Sequence, residues 1–293
     1  MRTSNEMLEL IIGIAKDDSR VRAVYMNGSR TNPNAPKDIF QDYDIVYVVS
    51  EVKSIVSEDN WIDRFGKLLM LQEPEKNIKA LGGEIDLNKN YGYLMLFTDG
   101  NRLDLHIQTE DYMLTTYKTD SLTIPLLDKD SCLPAIPPSN DKDYWTRNPT
   151  KIQYFSVCND FWWCMQNVAK GIWREELPYA KQMFELVIRP GLDQMVSWWI
   201  GMQHDFQVSP GKMGKYFENF LPNKYWSMYR HTYSGDDYEK NWDAVFIACE
   251  LFRLLAQDVA HKLTFDYIQD DDRNMMNYLR RVRELSKDAE GIF

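Results

Sequence analysis

Asn27-Gly28-Ser29-Arg30, a polar run to Gln41, and then Asp42-Tyr43-Asp44-Ile45 form the stretch that decides the N-terminal fold. Val21 to Met26, just before it, reads as a strand, and Asp42 to Ser50 alternates with β-branched residues, which predicts a second strand. Residues 27–41 are rich in Gly, Ser, Asn and Pro and predict a loop. On a strand, side chains two apart leave the same face, so Asp42 and Asp44 would present paired carboxylates with backbones roughly 7 Å apart. Two such charges repel unless a cation sits between them. Magnesium suits that place, because it takes one or two carboxylates together with substrate phosphate oxygens. The plain alternative is a surface strand whose acids face water. Gly28 and Ser29 directly after a strand would let backbone N–H groups approach a phosphate. The Ser29 hydroxyl adds a donor and Arg30 a charge, although an ordinary turn has the same composition.

Working outward, Tyr93 to Phe97 and Arg102 to Gln108 flank Thr98-Asp99-Gly100-Asn101. An Asp-Gly pair between two apolar runs predicts a hairpin. Leu103, Leu105 and Ile107 form one face of its second strand; Arg102, Asp104 and His106 form the other. If that strand pairs beside Asp42–Ser50, Asp104 joins Asp42 and Asp44. Three converging carboxylates are the arrangement for two-metal phosphoryl or nucleotidyl transfer, with one carboxylate free to take a proton from the attacking hydroxyl. Nearer the N-terminus, Thr3 and Glu6 predict a capping box ahead of an amphipathic helix through Ile14 that ends near Ser19. Trp61 to Leu71 is also predicted helical.

The composition changes after residue 128. Asp128 to Pro149 carries Pro134, Pro137, Pro138 and Pro149 and reads as a linker. Helical spacing then predicts helices over Lys151–Gly171, Glu175–Arg189, Leu192–Gln203, Lys212–Phe220, Asn223–Tyr233, Tyr238–Leu263 and Asp271–Ser286, with Pro190 and Pro222 as breaks. The expected architecture is an α+β or α/β N-terminal domain with a mixed sheet, residues 1–135, and an all-helical C-terminal domain, residues 136–293.

Several segments carry a resemblance. The strand, Gly28-Ser29, the loop, Asp42-Tyr43-Asp44-Ile45 and the later Asp104 resemble the polymerase-beta-type nucleotidyltransferase superfamily. Asn27 to Asn32, Phe40 to Ile45, Asp99 to Leu105 and Leu126 to Ser131 resemble the aminoglycoside 6-adenylyltransferases that modify streptomycin. So do Tyr144-Trp145, Cys158 to Trp162, Lys170-Gly171 and Val187 to Pro190, and the resemblance spans nearly the whole chain. It implies an enzyme that uses Mg-ATP to place AMP on a hydroxyl of an aminoglycoside, streptomycin first, with pyrophosphate released, and so a role in antibiotic resistance. By match, Asp42 and Asp44 would ligate magnesium, two ions being expected. Asp104 would be the third ligand and the general base. Gly28, Ser29 and Arg30 would touch the triphosphate. His106 departs from the pattern; it could hydrogen-bond Asp104, but solvent is the favoured surrounding.

The helical half would supply the rest of the site. A guanidinium-bearing acceptor needs carboxylates and aromatic faces, and Asp160, Trp163 and Glu185 are the candidates, set against the plain reading that consecutive aromatics on a helix are core. Lys170, Arg174, Lys212 and Lys215 are candidate phosphate contacts. Gly211 to Lys215 lacks the P-loop frame. Asp270-Asp271-Asp272 reads as a solvated helix start favoured by the macrodipole.

Composition narrows the alternatives. The 293 residues carry 44 acids against 34 bases, a net charge of −10. A broad basic nucleic-acid face is therefore disfavoured and no nucleic-acid partner is expected, while cationic small molecules would be attracted, the plain alternative being that the charge only keeps the protein in solution. Four cysteines without metal-ligand spacing exclude a structural zinc site or a disulfide framework. No apolar run is long enough for a membrane span, and Met1 to Glu6 is not a signal peptide. A cytoplasmic protein is expected, as a monomer, with a dimer as the other option. The rival functions are the same chemistry on another acceptor and a catalytically silent nucleotide-binding module.

Overall fold

A computed structural model describes residues 1–293. They divide into two units, Met1–Asp143 and Tyr144–Phe293. The division falls later than the expected 135/136 boundary because the proline-bearing stretch is held to the first unit. Leu133 and Ile136 pack on its apolar core, and the Ser139 hydroxyl donates to the Thr31 carbonyl at 2.9 Å.

The first unit opens with α1 (Ser4–Asp17), started by the expected Thr3–Glu6 capping box; Met7, Ile11 and Ala15, each four apart, form its buried stripe. There follow β1 (Val21–Asn27), β2 (Tyr43–Val49), α2 (Val52–Val56), β3 (Leu68–Gln72), α3 (Pro74–Ala80), β4 (Asn90–Phe97), β5 (Arg102–Thr109), α4 (Glu110–Thr116) and β6 (Thr123–Asp128). The sheet order is β3-β4-β5-β2-β1-β6. All neighbours are antiparallel except β2 and β5, which run parallel, so the sheet is mixed.

Alternation assigns the two faces. Tyr43, Ile45, Tyr47 and Val49 of β2, with Leu103, Leu105 and Ile107 of β5, pack in the larger core under α1 and α2. On the other face Val46 and Val48 join Ala23, Tyr25, Met113 and Tyr117 in a smaller cluster. That second face is apolar only at one end. At the other end stand Asp44 and Asp104.

Two segments differ from the sequence reading. Trp61 to Leu71 is not a helix: Trp61–Phe65 is a 3-10 turn, Gly66 follows at φ 126°, and the chain extends into β3. Trp61 and Phe65 are buried against Tyr47, and this helix-like spacing ends there. β6 has no counterpart in the sequence reading, and its Pro125 lacks a ladder donor. It is tolerated at a sheet edge, where the register with β1 shifts between Val24 and Tyr25, beside Pro125.

The second unit contains α5 (Lys151–Trp173), α6 (Leu177–Gln182), α7 (Arg189–Gln203), α8 (Phe217–Phe220), α9 (Asn223–His231), α10 (Tyr238–Leu263) and α11 (Gln269–Glu284), and no strand. Thr150 and Gln153 form a capping box at α5. Phe161 stacks on Phe252 of α10 at 3.7 Å, with Trp162 edge-on to both, at the centre of one apolar core. Pro190 is not a break. A π-helical turn, Met183–Ile188, joins α6 to α7 without interruption. Proline clashes with the carbonyl four residues earlier, and the wider turn just before it relieves that crowding. Lys212–Phe220 is not one helix either, because Gly211, Met213 and Gly214 take positive φ and divide it into a 3-10 turn and α8. Asp272 is not solvated as expected. It is buried at the start of α11, where Arg253 Nε and Nη2 each donate to it at 2.6 Å and Tyr267 Oη at 2.8 Å. No helix is long and apolar enough to cross a membrane.

Candidate active site

The polar end of the second sheet face is built by three adjacent strands. Asn27, which ends β1, pairs with Asp44, and Asp44 lies directly opposite Asp104 on β5. Asp42 stands just ahead of β2. The pairing on which the convergence depended is thus present: one oxygen from each of Asp42, Asp44 and Asp104 lies within 4.8 Å of the others. These acids are not a solvated strand face. Asp104 is 8% exposed and the other two are half-buried. Burial first, then the charges of Asp42 and Asp104, pushes the Asp44 carboxyl up to about 7, against the pull of Arg102. Like charges this close raise one another's cost of ionisation.

Gly28 is demanded twice at this point. Its backbone sits at φ 78°, ψ −159°, a region only glycine enters readily. A Cβ there would lie 2.0 Å from Asp44 Oδ2. The chain therefore passes directly against the carboxylate, and residues 29–31 turn in a 3-10 coil held by Thr31 Oγ1 donating to the Gly28 carbonyl at 2.9 Å. Arg30 closes the loop behind them. Its Nε donates to the Asp42 carbonyl at 2.8 Å and Nη2 to the Gln41 carbonyl at 2.7 Å, and its Cζ lies 3.7 Å from the Tyr43 ring centre. Its guanidinium is therefore engaged in positioning Asp42.

Arg102 carries more than the sequence reading assigned to it. Its Nε donates to Asp104 Oδ1 at 2.7 Å and Nη2 to Oδ2, while Nη1 lies 3.9 Å from Asp42 Oδ2. The signal for this was present in the alternation, since Arg102 and Asp104 are two apart on one strand face. His106 does not meet Asp104, and its Nδ1 does not face solvent. That atom is buried without a hydrogen bond, 3.6 Å from Glu75 Oε1. Glu75, itself buried, accepts from the Asn90 side chain and the Gly92 N–H, each at 2.8 Å. Gly92 makes room for the pair, because a Cβ would lie 2.7 Å from Glu75 Oε2.

In the helical unit, Asp160 and Trp163 stand one turn apart on α5, both exposed, Trp163 at 67%. Its neighbours Phe161 and Trp162 are core. Glu185 lies in the π turn and accepts from Arg189 Nε and Nη2. Lys170 donates to Asn167 at 3.1 Å, and with Arg174 it lines a cavity of about 280 Å³ against α11 and the C-terminal residues. Lys212 and Lys215 are exposed around the Gly211–Gly214 turn, with Lys215 5.0 Å from the Tyr216 ring centre.

A family model described as streptomycin adenylyltransferase matches residues 1–282. The chain belongs to that family. Aminoglycoside 6-adenylyltransferase of Bacillus subtilis (strain 168) is 37% identical to it over 286 residues, covering 96% of this chain and 98% of that protein. The family members of the same name from Campylobacter jejuni and Staphylococcus aureus are each 34% identical, over 97% of this chain and 97% and 100% of their own lengths. A crystal structure of an aminoglycoside 6-adenyltransferase from Bacillus subtilis aligns with a TM-score of 0.47 at 31% identity, over 97% of this chain and 100% of that one. Membership makes this protein an enzyme of the nucleotidyltransferase class.

Proposed function

We propose that the protein transfers AMP from Mg-ATP to a hydroxyl of an aminoglycoside, streptomycin first, and releases pyrophosphate. The observation that carries this reading is the parallel register of β2 and β5, which sets three carboxylates within 4.8 Å beside a glycine-led turn. A divalent cation fits these residues: the donors are all hard oxygens, and burial first, then the charges of Asp42 and Asp104, pushes the Asp44 carboxyl up to about 7. Asp42, Asp44 and Asp104 would hold magnesium, which when bound neutralises polyphosphate charge and makes a hydroxyl easier to deprotonate.

The protein's own groups do the remainder. The turn at Gly28-Ser29 offers backbone N–H groups and a hydroxyl to the triphosphate, and Arg30 fixes Asp42 from behind. Asp104 accepts the proton of the acceptor hydroxyl as its oxygen bonds to the α-phosphorus. The bond from that phosphorus to the β-phosphate bridging oxygen breaks, and pyrophosphate leaves with its electron pair. Asp160, Trp163 and Glu185 are proposed to receive the acceptor's cationic groups. Lys170, Arg174, Lys212 and Lys215 are proposed as the second unit's phosphate contacts. The proposed location is the cytoplasm, and the net charge of −10 favours a small cationic acceptor over nucleic acid.

Mass spectrometry of streptomycin after incubation with enzyme, magnesium and ATP tests the reading. A gain of one AMP unit with equimolar pyrophosphate is expected. A gain on another aminoglycoside alone would change the acceptor. No pyrophosphate with any acceptor would leave a silent nucleotide-binding module.

A further inference from the structure

Arg102 sits where a positive charge is most needed. Both oxygens of Asp104 accept from its guanidinium, and the third nitrogen faces Asp42 at 3.9 Å. Its cation also lowers the cost of ionising Asp44. Its side chain is 49% exposed while that of Asp104 is only 11% exposed, so the guanidinium can leave toward water and the carboxylate cannot follow. A two-pronged guanidinium fork is a strong, directional pair. Yet in this arrangement Asp104 offers its oxygens to Arg102, not to an ion or a hydroxyl proton. A divalent cation placed among the three acids would also stand against a guanidinium.

We infer that Arg102 is a resident counter-ion of the carboxylate cluster, held by Asp104 and Asp42 until an entering divalent cation displaces it. This rests on the metal reading above and adds an order of events. Asp104 is masked first, the cation exchanges with the guanidinium, and only then is Asp104 free to act on the acceptor. Arg102 is on this account a positioning residue, acting through Asp104. Its removal should weaken the ion-free protein and strengthen cation binding, whereas a merely structural arginine would weaken both.

Manganese(II) alone, without nucleotide, is the probe. Binding to the full chain is followed by the electron paramagnetic resonance of the free ion, for the native protein and for Arg102→Gln, Arg102→Lys and Asp44→Asn. Arg102→Gln is expected to bind manganese about threefold to tenfold more tightly, the scale of a half-exposed charged pair. Arg102→Lys should fall between it and the native protein, and Asp44→Asn should lose binding. Without manganese, Arg102→Gln should melt about 2 °C lower or more, and saturating manganese should close that gap. Equal or weaker manganese affinity in Arg102→Gln, with binding still lost in Asp44→Asn, would overturn the inference and leave the metal reading standing. Absence of manganese binding in the native protein at millimolar concentration would overturn both.

Discussion

At the scale of single residues, Gly28 is under the tightest constraint. Its positive φ and the 2.0 Å approach of a Cβ to Asp44 leave no room for another residue. Gly28→Ala must shift either the turn or the carboxylate, and a displacement of about 1 Å at a reacting centre costs on the order of 10²-fold in rate. Circular dichroism should be little changed while turnover falls by about that factor; an unaltered rate would remove Gly28 from the site. Asp18 is a second residue with a definite expectation. It is buried and accepts from Arg20 Nε at 2.8 Å, Arg20 Nη2 at 2.6 Å and Trp61 Nε1 at 3.0 Å. The Arg20 hydrogen bonds hold its carboxyl well below the usual carboxylate range, although burial opposes them. Because the folded value lies below the unfolded one, this stabilisation is complete above about pH 4 and is lost as pH falls further toward the folded value. Asp18→Asn should cost about 2–3 kcal/mol at neutral pH and flatten the acid limb of the stability curve. Urea unfolding of both proteins across that range measures this; parallel curves would contradict it.

At the scale of elements, the π turn and the helix after it hang on Arg189. The side chain is buried, and Glu185 accepts from it one turn back. It also donates to Thr232 Oγ1 at 3.0 Å and lies 3.7 Å from the Tyr233 ring centre. Arg189→Ala would leave Glu185 without its partner and take one donor from Thr232, whose hydroxyl keeps its bond to the Tyr229 carbonyl, at a cost of about 3 kcal/mol, and Arg189→Lys should recover only part because a lysine has no fork. Denaturant midpoints decide this, and a neutral Arg189→Ala would show that the π turn stands without it. Elements with an uninterrupted period were legible in the sequence: the Thr3–Glu6 cap, the alternation of β2, and the Asp99-Gly100 hairpin. Those that depend on a neighbour were not. β6 needs a sheet edge to excuse Pro125, α7 needs the π turn to carry Pro190, and β3 is seen only once Gly66 ends the Trp61 turn. In the candidate site, Gly28 could be read from its place after a strand and Asp42 and Asp44 from their spacing, Asp104 joined them only on condition that β5 pairs with β2, and the Arg102 pairing and the Glu75 partner of His106 required tertiary contact.

At the scale of the whole molecule, each unit has its own apolar centre. The helical unit closes its core with residues of Tyr144–Phe293 alone, led by the Phe161–Phe252 stack. Residues 144–293 expressed separately are therefore expected to be helical and to melt in one cooperative transition. A broad, non-cooperative melt of this fragment would mean that its core is completed by the other unit.

The parallel neighbours β2 and β5 carry a consequence in time. A hairpin can close as soon as its turn is made, but two parallel strands must wait for the whole intervening chain. β2 leaves the ribosome before β4 and β5, and Asp104 cannot reach Asp44 until both of those strands have been synthesised. The acids therefore meet later than the strands of the β4–β5 hairpin, although the pairing of β6 with β1 spans a longer stretch of chain still. In refolding from denaturant, helix signal should return first and the capacity to hold manganese only with the slow, long-range closure of the sheet. The three carboxylates would thus serve as a chemical clock for the joining of β2 to β5.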